Sequence, residues 1–315
     1  MELENRWLRE TYVDELIAAA QRDERIVILE ADLMKAGGTF RFKEAFPERT
    51  FDVGIAEANM IGAAAGMAAM GKLPFTHTFT PFSTRRVCDQ VTLSVAYAGL
   101  NVRIMGSDPG VTAELNGGTH MSMEDVAIMR NIPGMTIFEP TDSAQLRAAF
   151  PQIVAHDGPV YIRLLRRAAV KIFSDGCAFT LGKGIVLRPG KDVTVLASGI
   201  LTAEALDAAA LLAAAGIDAE VVNIHTVKPF DKELLLASAA RTGAVVTAEN
   251  HSILNGLGSA AAECLAENLP VPLRRVGVRD HFGEVGSTEF LKEKYGLKAR
   301  DIAAAAKAAI AMKRS

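Results

Sequence analysis

Apolar residues in the first half of the chain form short runs, separated by longer stretches in which they recur with helical spacing. The runs predict strands and the stretches predict helices. Strands are predicted at residues 26–29, 51–55, 73–79, 101–106, 135–138 and 160–164. Helices are predicted at residues 5–20, 57–70, 81–97, 121–130 and 142–154, with Asn5 as the cap of the first. Because strand and helix alternate, we expect an α/β fold with a parallel sheet and helices on both faces.

The alternation stops between residues 168 and 190 and then resumes. Further strands are predicted at residues 193–197, 219–224, 245–248 and 273–276, and further helices at residues 202–215, 231–239, 258–268 and 299–312. A second, smaller α/β domain therefore follows the first. We place the two domains at residues 1–172 and 187–315.

One carboxylate in the first domain lies where an apolar strand passes into a helix with almost no charge. The segment reads Phe51-Asp-Val-Gly-Ile-Ala-Glu-Ala-Asn-Met60, and Glu57 falls in the first turn of the helix. Ionised carboxylates are rarely buried without a partner or a chemical role. The alternative is a charge that complements the helix dipole, and residue type alone favours this alternative.

Other candidate residues follow predicted strands, where parallel α/β folds bind their ligands. Asp32 follows the first strand, and Phe79 and Phe82 lie at the end of the third. The two rings can stack on a flat heterocycle, although membership of the core is the simpler explanation. Arg163 and Arg166 lie at the end of the last strand of the first domain. Their guanidinium groups can bind phosphate or pair with surface carboxylates.

A long irregular segment at residues 107–120 separates a strand from the next helix. Irregular segments of this length inside a compact domain are usually functional. Its polar side chains include Asp108, Asn116 and His120, which suit the recognition of hydroxyl groups. A solvated loop is an equally good explanation of the same residues.

Composition excludes several classes of protein. The net charge is −3 and both signs are spread along the chain, which argues against nucleic-acid and membrane-surface partners. The three cysteines form no Cys-x-x-Cys pair, so we expect neither a disulfide framework nor a thiolate metal site. The charged start lacks a signal-peptide core, and no apolar run reaches the roughly 18 residues that span a bilayer. We expect a cytoplasmic protein that holds no metal ion itself.

Taken in order, segments along nearly the whole chain resemble the C-terminal half of transketolase. The most specific segment is Ile-Ala-Glu-x-Asn-Met60. The others are Glu-Ala-Asp-Leu33, Thr-Phe-Thr-Pro-Phe-Ser-Thr-Arg85, Asp-Gln90, Asn-Gly-Gly-Thr-His120, Met-Glu-Asp-Val-Ala-Ile-Met-Arg130, Glu-Pro-Thr-Asp142, His-Thr-Val-Lys-Pro229 and Glu-Asn-His251. The resemblance implies a pyrimidine-binding domain of the thiamine diphosphate-binding fold, followed by a transketolase C-terminal domain.

The family's Gly-Asp-Gly motif belongs to the other half, which binds the diphosphate and the metal ion. It is missing from this chain, whose nearest sequences are Ser-Asp-Gly176 and His-Asp-Gly158. The resemblance therefore implies that a separate N-terminal subunit holds the diphosphate and Mg²⁺ or Ca²⁺. We expect an α2β2 heterotetramer with transferase activity, in which this chain is inactive by itself.

The resemblance also implies roles for the candidate residues. Thiamine diphosphate reacts through C2 of its thiazolium ring. In the family, the residue at Glu57 hydrogen-bonds the aminopyrimidine and so promotes loss of the C2 proton. Phe79 and Phe82 match the aromatic cluster around the pyrimidine, and Asp32 is assigned to the same cofactor.

The substrate side resembles the family only in part. Three residues match positions that contact the sugar phosphate: His120, Arg163 and Arg166. Asp108 and Asn116 are also assigned to the substrate, although common transketolases carry His and Asp there, and Ala36 replaces an expected serine. We expect a two-carbon ketol unit to pass from a ketose phosphate to an aldose through an altered pocket. Specialised sugar catabolism, for example of apulose 4-phosphate, is one candidate.

Three other functions remain open. A 1-deoxyxylulose-5-phosphate synthase uses the same cofactor and shares the aspartate near Asp108, but usually carries Arg where Phe82 lies and has both halves in one chain. The beta subunit of a 2-oxoacid dehydrogenase has a similar length, but the Asn-Gly-Gly-Thr-His120 segment favours transketolase. A non-catalytic assembly subunit is disfavoured by Glu57 and the aromatic pair.

Overall fold

The computed structural model describes residues 1–313, so the last two residues of the predicted second domain lie outside the described part. The strands are β1 (Ile26–Glu30), β2 (Thr50–Asp52), β3 (Leu73–Phe79), β4 (Arg103–Ser107), β5 (Thr136–Phe138), β6 (Val160–Leu164), β7 (Ile185–Arg188), β8 (Val193–Ala197), β9 (Ala219–Asn223), β10 (Thr226–Lys228), β11 (Val245–Ser252) and β12 (Leu273–Val278). The helices are α1 (Leu8–Arg22), α2 (Met34–Gly37), α3 (Phe40–Ala45), α4 (Glu57–Ala69), α5 (Thr80–Ser83), α6 (Cys88–Gln90), α7 (Asp125–Asn131), α8 (Ser143–Ala155), α9 (Leu201–Ala214), α10 (Lys232–Thr242), α11 (Leu257–Asn268), α12 (Thr288–Lys294) and α13 (Ala299–Ala311).

Two sheets form the framework. The first has the strand order β10-β5-β6-β4-β3-β1-β2, and the second has the order β12-β11-β8-β9-β7. All pairs are parallel except those that β10 and β7 make at one edge of each sheet. The predicted architecture of two α/β domains with mostly parallel sheets is confirmed. None of the helices within residues 1–313 has the length and apolar character needed to cross a membrane.

Helices cover both faces of each sheet because the strands are apolar on both sides. Along β1, Ile26 and Ile28 belong to the core that includes α1 and α8, whereas Val27 and Leu29 belong to the core that includes α4 and α7. The second sheet is covered by α9 and α13 on one face and by α10 and α11 on the other. This alternation follows from the two-residue period of a strand.

The first helix begins later than predicted, at Leu8, and the residue before it is Trp7, not Asn5. The N-terminal segment is held in extended form because Leu3 bridges to Val170 and the Glu4 amide donates to the Ala169 carbonyl at 2.9 Å. The cap prediction for Asn5 was therefore wrong, since the chain pairs with a distant segment before it turns into the helix.

The single helix predicted over residues 81–97 is broken into four short pieces: α5, a 3-10 turn at Arg85–Val87, α6 and a π-helical turn at Val91–Tyr97. Hydroxyl groups account for the first break. The Ser83 and Thr84 hydroxyls both donate to the Thr80 carbonyl, at 3.0 and 2.7 Å, and compete with helical backbone bonds. The break redirects the chain just before Arg86.

The elements that were not predicted include the short strands β7 and β10 and the helices α2 and α12. The strand β10 belongs to the C-terminal part of the chain but pairs with β5 of the first sheet. Its three residues are too few to show a period. The two domains are thereby joined through a shared sheet edge.

Candidate active site

Three adjacent parallel strands end at the same edge of the first sheet. Phe79 of β3 pairs with Ser107 of β4, and Ser107 pairs with Leu164 of β6. The segments that follow these strands therefore meet, as the ends of parallel strands do in α/β folds. They carry most of the side chains selected from the sequence.

Glu57 is the first residue of α4 and is only 3% exposed. One nitrogen of Arg86, Nη1, donates to both carboxylate oxygens at 2.8 Å. The Thr78 hydroxyl lies 3.5 Å from Oε1. The buried carboxylate is thus compensated by a cation and by the positive end of the helix dipole.

An aromatic group adjoins this ion pair. The guanidinium of Arg86 lies 3.8 Å above the ring centroid of Phe82. The ring centroid of His120 lies 5.2 Å from that of Phe82 and 5.8 Å from that of Phe79, edge-on in both cases. Both phenylalanines are only partly buried, so their remaining ring surface is open to a flat ligand.

The contacts continue from the aromatic group to a second ion pair. The guanidinium of Arg166 lies 5.8 Å from the Phe79 centroid, and its Nε lies 2.9 Å from Asp108 Oδ2. An unbroken path of contacts therefore links Glu57 to Asp108. It brings together six of the residues selected from the sequence: Glu57, Phe79, Phe82, Asp108, His120 and Arg166.

Asp108 is fully buried and has a positive φ of 57°. Its carboxylate lies close to Arg166, but the two groups are not aligned for a hydrogen bond. Neither carboxylate oxygen has a hydrogen-bond partner within residues 1–313. Burial raises the pKa of Asp108 to about 6, and the Arg166 charge only partly counteracts it. A carboxylate in this position changes charge close to neutral pH.

Sequence reasoning missed two arginines of this site. Arg86 directly follows a segment that matches the family, but was not singled out. Arg9 lies on α1, and its Nη1 donates to the Ala36 carbonyl. Burial lowers the pKa of Arg9, and the nearby charge of Arg166 lowers it further, whereas Asp108 raises it. Arg9 therefore lies near enough to Arg166 and Asp108 for their charges to act on it, a proximity that sequence spacing does not reveal.

Arg163 lies in the protein interior, away from the path of contacts. It is 1% exposed, and it donates to Asp125 Oδ2 at 2.7 Å, to Glu139 Oε1 at 2.5 Å and to the Asn250 carbonyl at 2.6 Å. Burial lowers the pKa of Arg163, but the two carboxylates outweigh burial and raise it. Its donors bind groups in the protein interior, and this arrangement favours a structural role for Arg163 over the predicted contact with substrate.

Asp32 and Asn116 lie outside the path of contacts. Asp32 is exposed at the end of β1, and its amide donates to Asp52 Oδ1 at 3.0 Å. Asn116 is exposed at the end of the 3-10 turn Gly110–Asn116. Their assignments to cofactor and substrate remain predictions. Within residues 1–313, no group of three or more His, Cys, Asp or Glu side chains is arranged to hold a metal ion.

We predict that Asp108→Asn stabilises the chain above pH 6. The folded-state pKa of about 6 lies above the ordinary value of 3.8, so folding favours the protonated form. Stability therefore falls as the pH rises from about 4 to 6 and then stays reduced, by about 2–3 kcal/mol. Urea unfolding of the wild type and Asp108→Asn at several pH values measures the difference.

The difference should be present at pH 7 and should nearly vanish near pH 4. Asp175→Asn is the matched control, because its 80% exposed side chain pairs with Arg147 on the surface. A gain from Asp108→Asn that does not change with pH would contradict the account of Asp108.

Comparison with known proteins agrees with this architecture. The model of the transketolase pyrimidine binding domain matches residues 6–170, and that of the transketolase C-terminal domain matches residues 182–302. The chain is 71% identical, over 97% of its length and 95% of the relative's, to the 6-deoxy-6-sulfo-D-fructose transketolase subunit SqwH of Clostridium sp. (strain MSTE9). It is 35% identical to an apulose-4-phosphate transketolase subunit of Phocaeicola vulgatus, over 92% of this chain and 93% of that one.

A solved structure described as "Split gene transketolase, inactive beta4 tetramer" superimposes with a TM-score of 0.90 at 47% identity. The match covers 98% of this chain and 99% of that one. The resemblance seen in the sequence motifs is therefore confirmed. The chain belongs to the transketolase family, as a subunit made of its pyrimidine-binding and C-terminal domains.

Proposed function

We propose that this chain is the C-terminal subunit of a two-chain transketolase whose donor is a sulfonated ketose of the 6-deoxy-6-sulfo-D-fructose type. The enzyme passes a two-carbon ketol unit from this donor to an aldose. The observation that carries the choice of donor is the charge balance of Arg9, Arg166 and Asp108. The 71% identity to a subunit named for the sulfonated sugar supports the same choice.

The charge balance suits an anion of charge −1. Two arginines and one ionised carboxylate leave a net charge of +1 at neutral pH, since the pKa of Asp108 is about 6. A sulfonate carries a single negative charge, whereas a phosphate monoester carries about −1.5 to −2 at pH 7. The buried Asp108 carboxylate therefore repels the additional negative charge of a phosphate. A ketose phosphate, the donor expected from the family, is the alternative to the sulfonated ketose.

The residues around Glu57 suit the aminopyrimidine of thiamine diphosphate. The guanidinium of Arg86, itself a flat group with N–H donors, lies on Phe82 and donates to Glu57 in the structure. The Arg86 guanidinium thus occupies the position in which a flat, nitrogen-bearing ring would contact Phe82 and Glu57. When bound, thiamine diphosphate supplies the reactive C2 that accepts the ketol unit.

Each residue then has a defined task toward cofactor or substrate. Glu57 exchanges a hydrogen-bonded proton with a pyrimidine nitrogen, and Phe79 and Phe82 hold the ring plane. His120, which touches both rings, faces the reacting end of the sugar, while Arg166 and Arg9 bind its anionic end. Asp32 is proposed to contact the cofactor, and Asn116 the sugar hydroxyls.

A separate subunit completes the site in this proposal. The chain carries no Gly-Asp-Gly motif, so we assign the diphosphate and Mg²⁺ or Ca²⁺ to an N-terminal transketolase subunit. A chain of similar length, described as part of a split-gene transketolase, forms a tetramer that is inactive. An α2β2 heterotetramer in the cytoplasm is the proposed active form.

The donor is identified by assay of the reconstituted enzyme. This chain, a Gly-Asp-Gly subunit, thiamine diphosphate and magnesium are combined, and either 6-deoxy-6-sulfofructose or fructose 6-phosphate is offered with an aldose acceptor. We expect kcat/KM for the sulfonate to exceed that for the phosphate by about tenfold or more. Either chain alone should give no turnover.

Asp108→Asn should shift the preference toward the phosphate by about tenfold, because it removes the buried negative charge. Asp175→Asn should leave the preference unchanged. Preference for the phosphate in the wild type would contradict the proposed donor. Consumption of pyruvate without ketol transfer would favour a 1-deoxyxylulose-5-phosphate synthase or a 2-oxoacid dehydrogenase, and would overturn the proposed activity.

Arg86 should compete with the cofactor for Glu57. Arg86→Met leaves the Glu57 carboxylate and the Phe82 ring without their internal partner, so we expect about three- to tenfold tighter binding of thiamine diphosphate. Titration calorimetry of the reconstituted enzyme measures this affinity. Arg85→Met is the control, because Arg85 pairs with Glu124 at 2.7 Å instead. Equal or weaker binding by Arg86→Met would contradict the competition.

A further inference from the structure

Asn250 in the C-terminal domain reaches the loop that carries Asp108. It lies in β11 and is 1% exposed. Its side-chain amide spans Gly110: Oδ1 accepts from the Val111 amide at 2.9 Å, and Nδ2 donates to the Pro109 carbonyl at 2.9 Å. A single buried side chain thus fixes the backbone on both sides of one residue.

The backbone held in this way has an unusual conformation. Both Asp108 and Gly110 have positive φ angles, of 57° and 54°. A Cβ atom at Gly110 would overlap the Asn250 side chain, so only glycine allows this close approach. Positive φ at the non-glycine Asp108 is costly and needs support from its surroundings.

Asn250 is itself fixed from the first domain. Its backbone carbonyl accepts from Arg163 Nη2 at 2.6 Å, and Arg163 is in turn held by Asp125. The loop has other hydrogen bonds. The Thr112 hydroxyl donates to the Pro109 carbonyl at 2.6 Å, and the Gly110 amide donates to the Ser122 carbonyl at 3.0 Å. Asn250 differs from these local contacts because it joins the loop to the framework of the other domain.

We propose that Asn250 is a positioning residue for substrate binding. By fixing Pro109–Val111, it holds Asp108 in its strained conformation and its carboxylate against Arg166. The C-terminal domain thereby sets the charge balance of a site whose substrate contacts lie on the first domain. This inference rests on the proposed function in one respect, namely that Asp108 and Arg166 contact the donor.

The test compares two buried asparagines of the C-terminal domain. Asn250→Leu removes both bonds to the loop at similar side-chain volume. Asn223→Leu is the matched control, because Asn223 is 0% exposed and bonds Gln145, Thr141 and Thr202 but not the loop. Both variants lose buried hydrogen bonds and should lower the unfolding midpoint in urea.

In the reconstituted enzyme, Asn250→Leu should raise KM for the donor by about tenfold and change kcat less than about threefold. Asn223→Leu should leave KM within about twofold of the wild type. A merely structural role for Asn250 predicts the same KM in both variants, and that result would overturn the proposal.

Hydrogen exchange of this chain alone gives a second readout that needs neither cofactor nor substrate. Asn250→Leu should speed exchange of the amides at residues 108–113 by about tenfold or more, whereas Asn223→Leu should not. Gly110→Ala, which displaces Asn250, should reproduce the change if Asn250→Leu folds poorly. Unchanged exchange in both Asn250→Leu and Gly110→Ala would refute the positioning role even if the donor proved to be a phosphate.

Discussion

The buried ion network around Arg163 is the interaction on which the arrangement of the two domains depends. Its guanidinium binds Asp125, Glu139 and the Asn250 carbonyl, which come from α7, from the segment after β5 and from β11. Charges removed from water stabilise a fold only when every partner is present, and loss of one partner costs about 3–5 kcal/mol. The network therefore fixes β11 against the strand ends where the candidate site lies.

A series of contacts connects this network to the candidate site. Asn250 of β11 bonds the loop after β4, and Asp108 in that loop lies against Arg166. The aromatic group then joins Arg166 to the pair of Glu57 and Arg86. Separate segments of the chain thus form one series of contacts, with the Arg166 guanidinium near one end and the Glu57 carboxylate at the other. In the proposed function, this layout accommodates a sugar whose reacting carbon and charged end lie far apart.

The framework and much of the site could be predicted because they depend on local patterns. Apolar runs located most strands to within a few residues. Parallel strands bring their ends together, so the end of β3 at Phe79 lies beside Ser107, the residue before Asp108. The roles of Arg163 and Arg166 could not be separated by residue type. Both arginines lie near the end of the same apolar run. Arg163 lies inside β6, whereas Arg166 lies beyond it, where solvent reaches its side chain.

Other features depend on distant partners that no local pattern contains. Arg9 is held near the site because the segment before α1 pairs with residues 169–170 and the start of α1 bonds the backbone of residues 166–167. The strand β10 is recognisable only from its pairing with β5. The helix break before Arg86 is local by contrast, because the Ser83 and Thr84 hydroxyls bond the Thr80 carbonyl three and four residues earlier.

Whether Glu57 acts on a cofactor held by another chain is tested most directly by hydrogen exchange at C2 of bound thiamine diphosphate. The reconstituted enzyme is saturated with cofactor, transferred to deuterium oxide and quenched with acid, and the C2 proton is followed by NMR. Glu57→Gln should slow exchange by about a hundredfold or more while the cofactor stays bound. Exchange at the wild-type rate in Glu57→Gln, or full-rate exchange by this chain without its partner, would contradict the account.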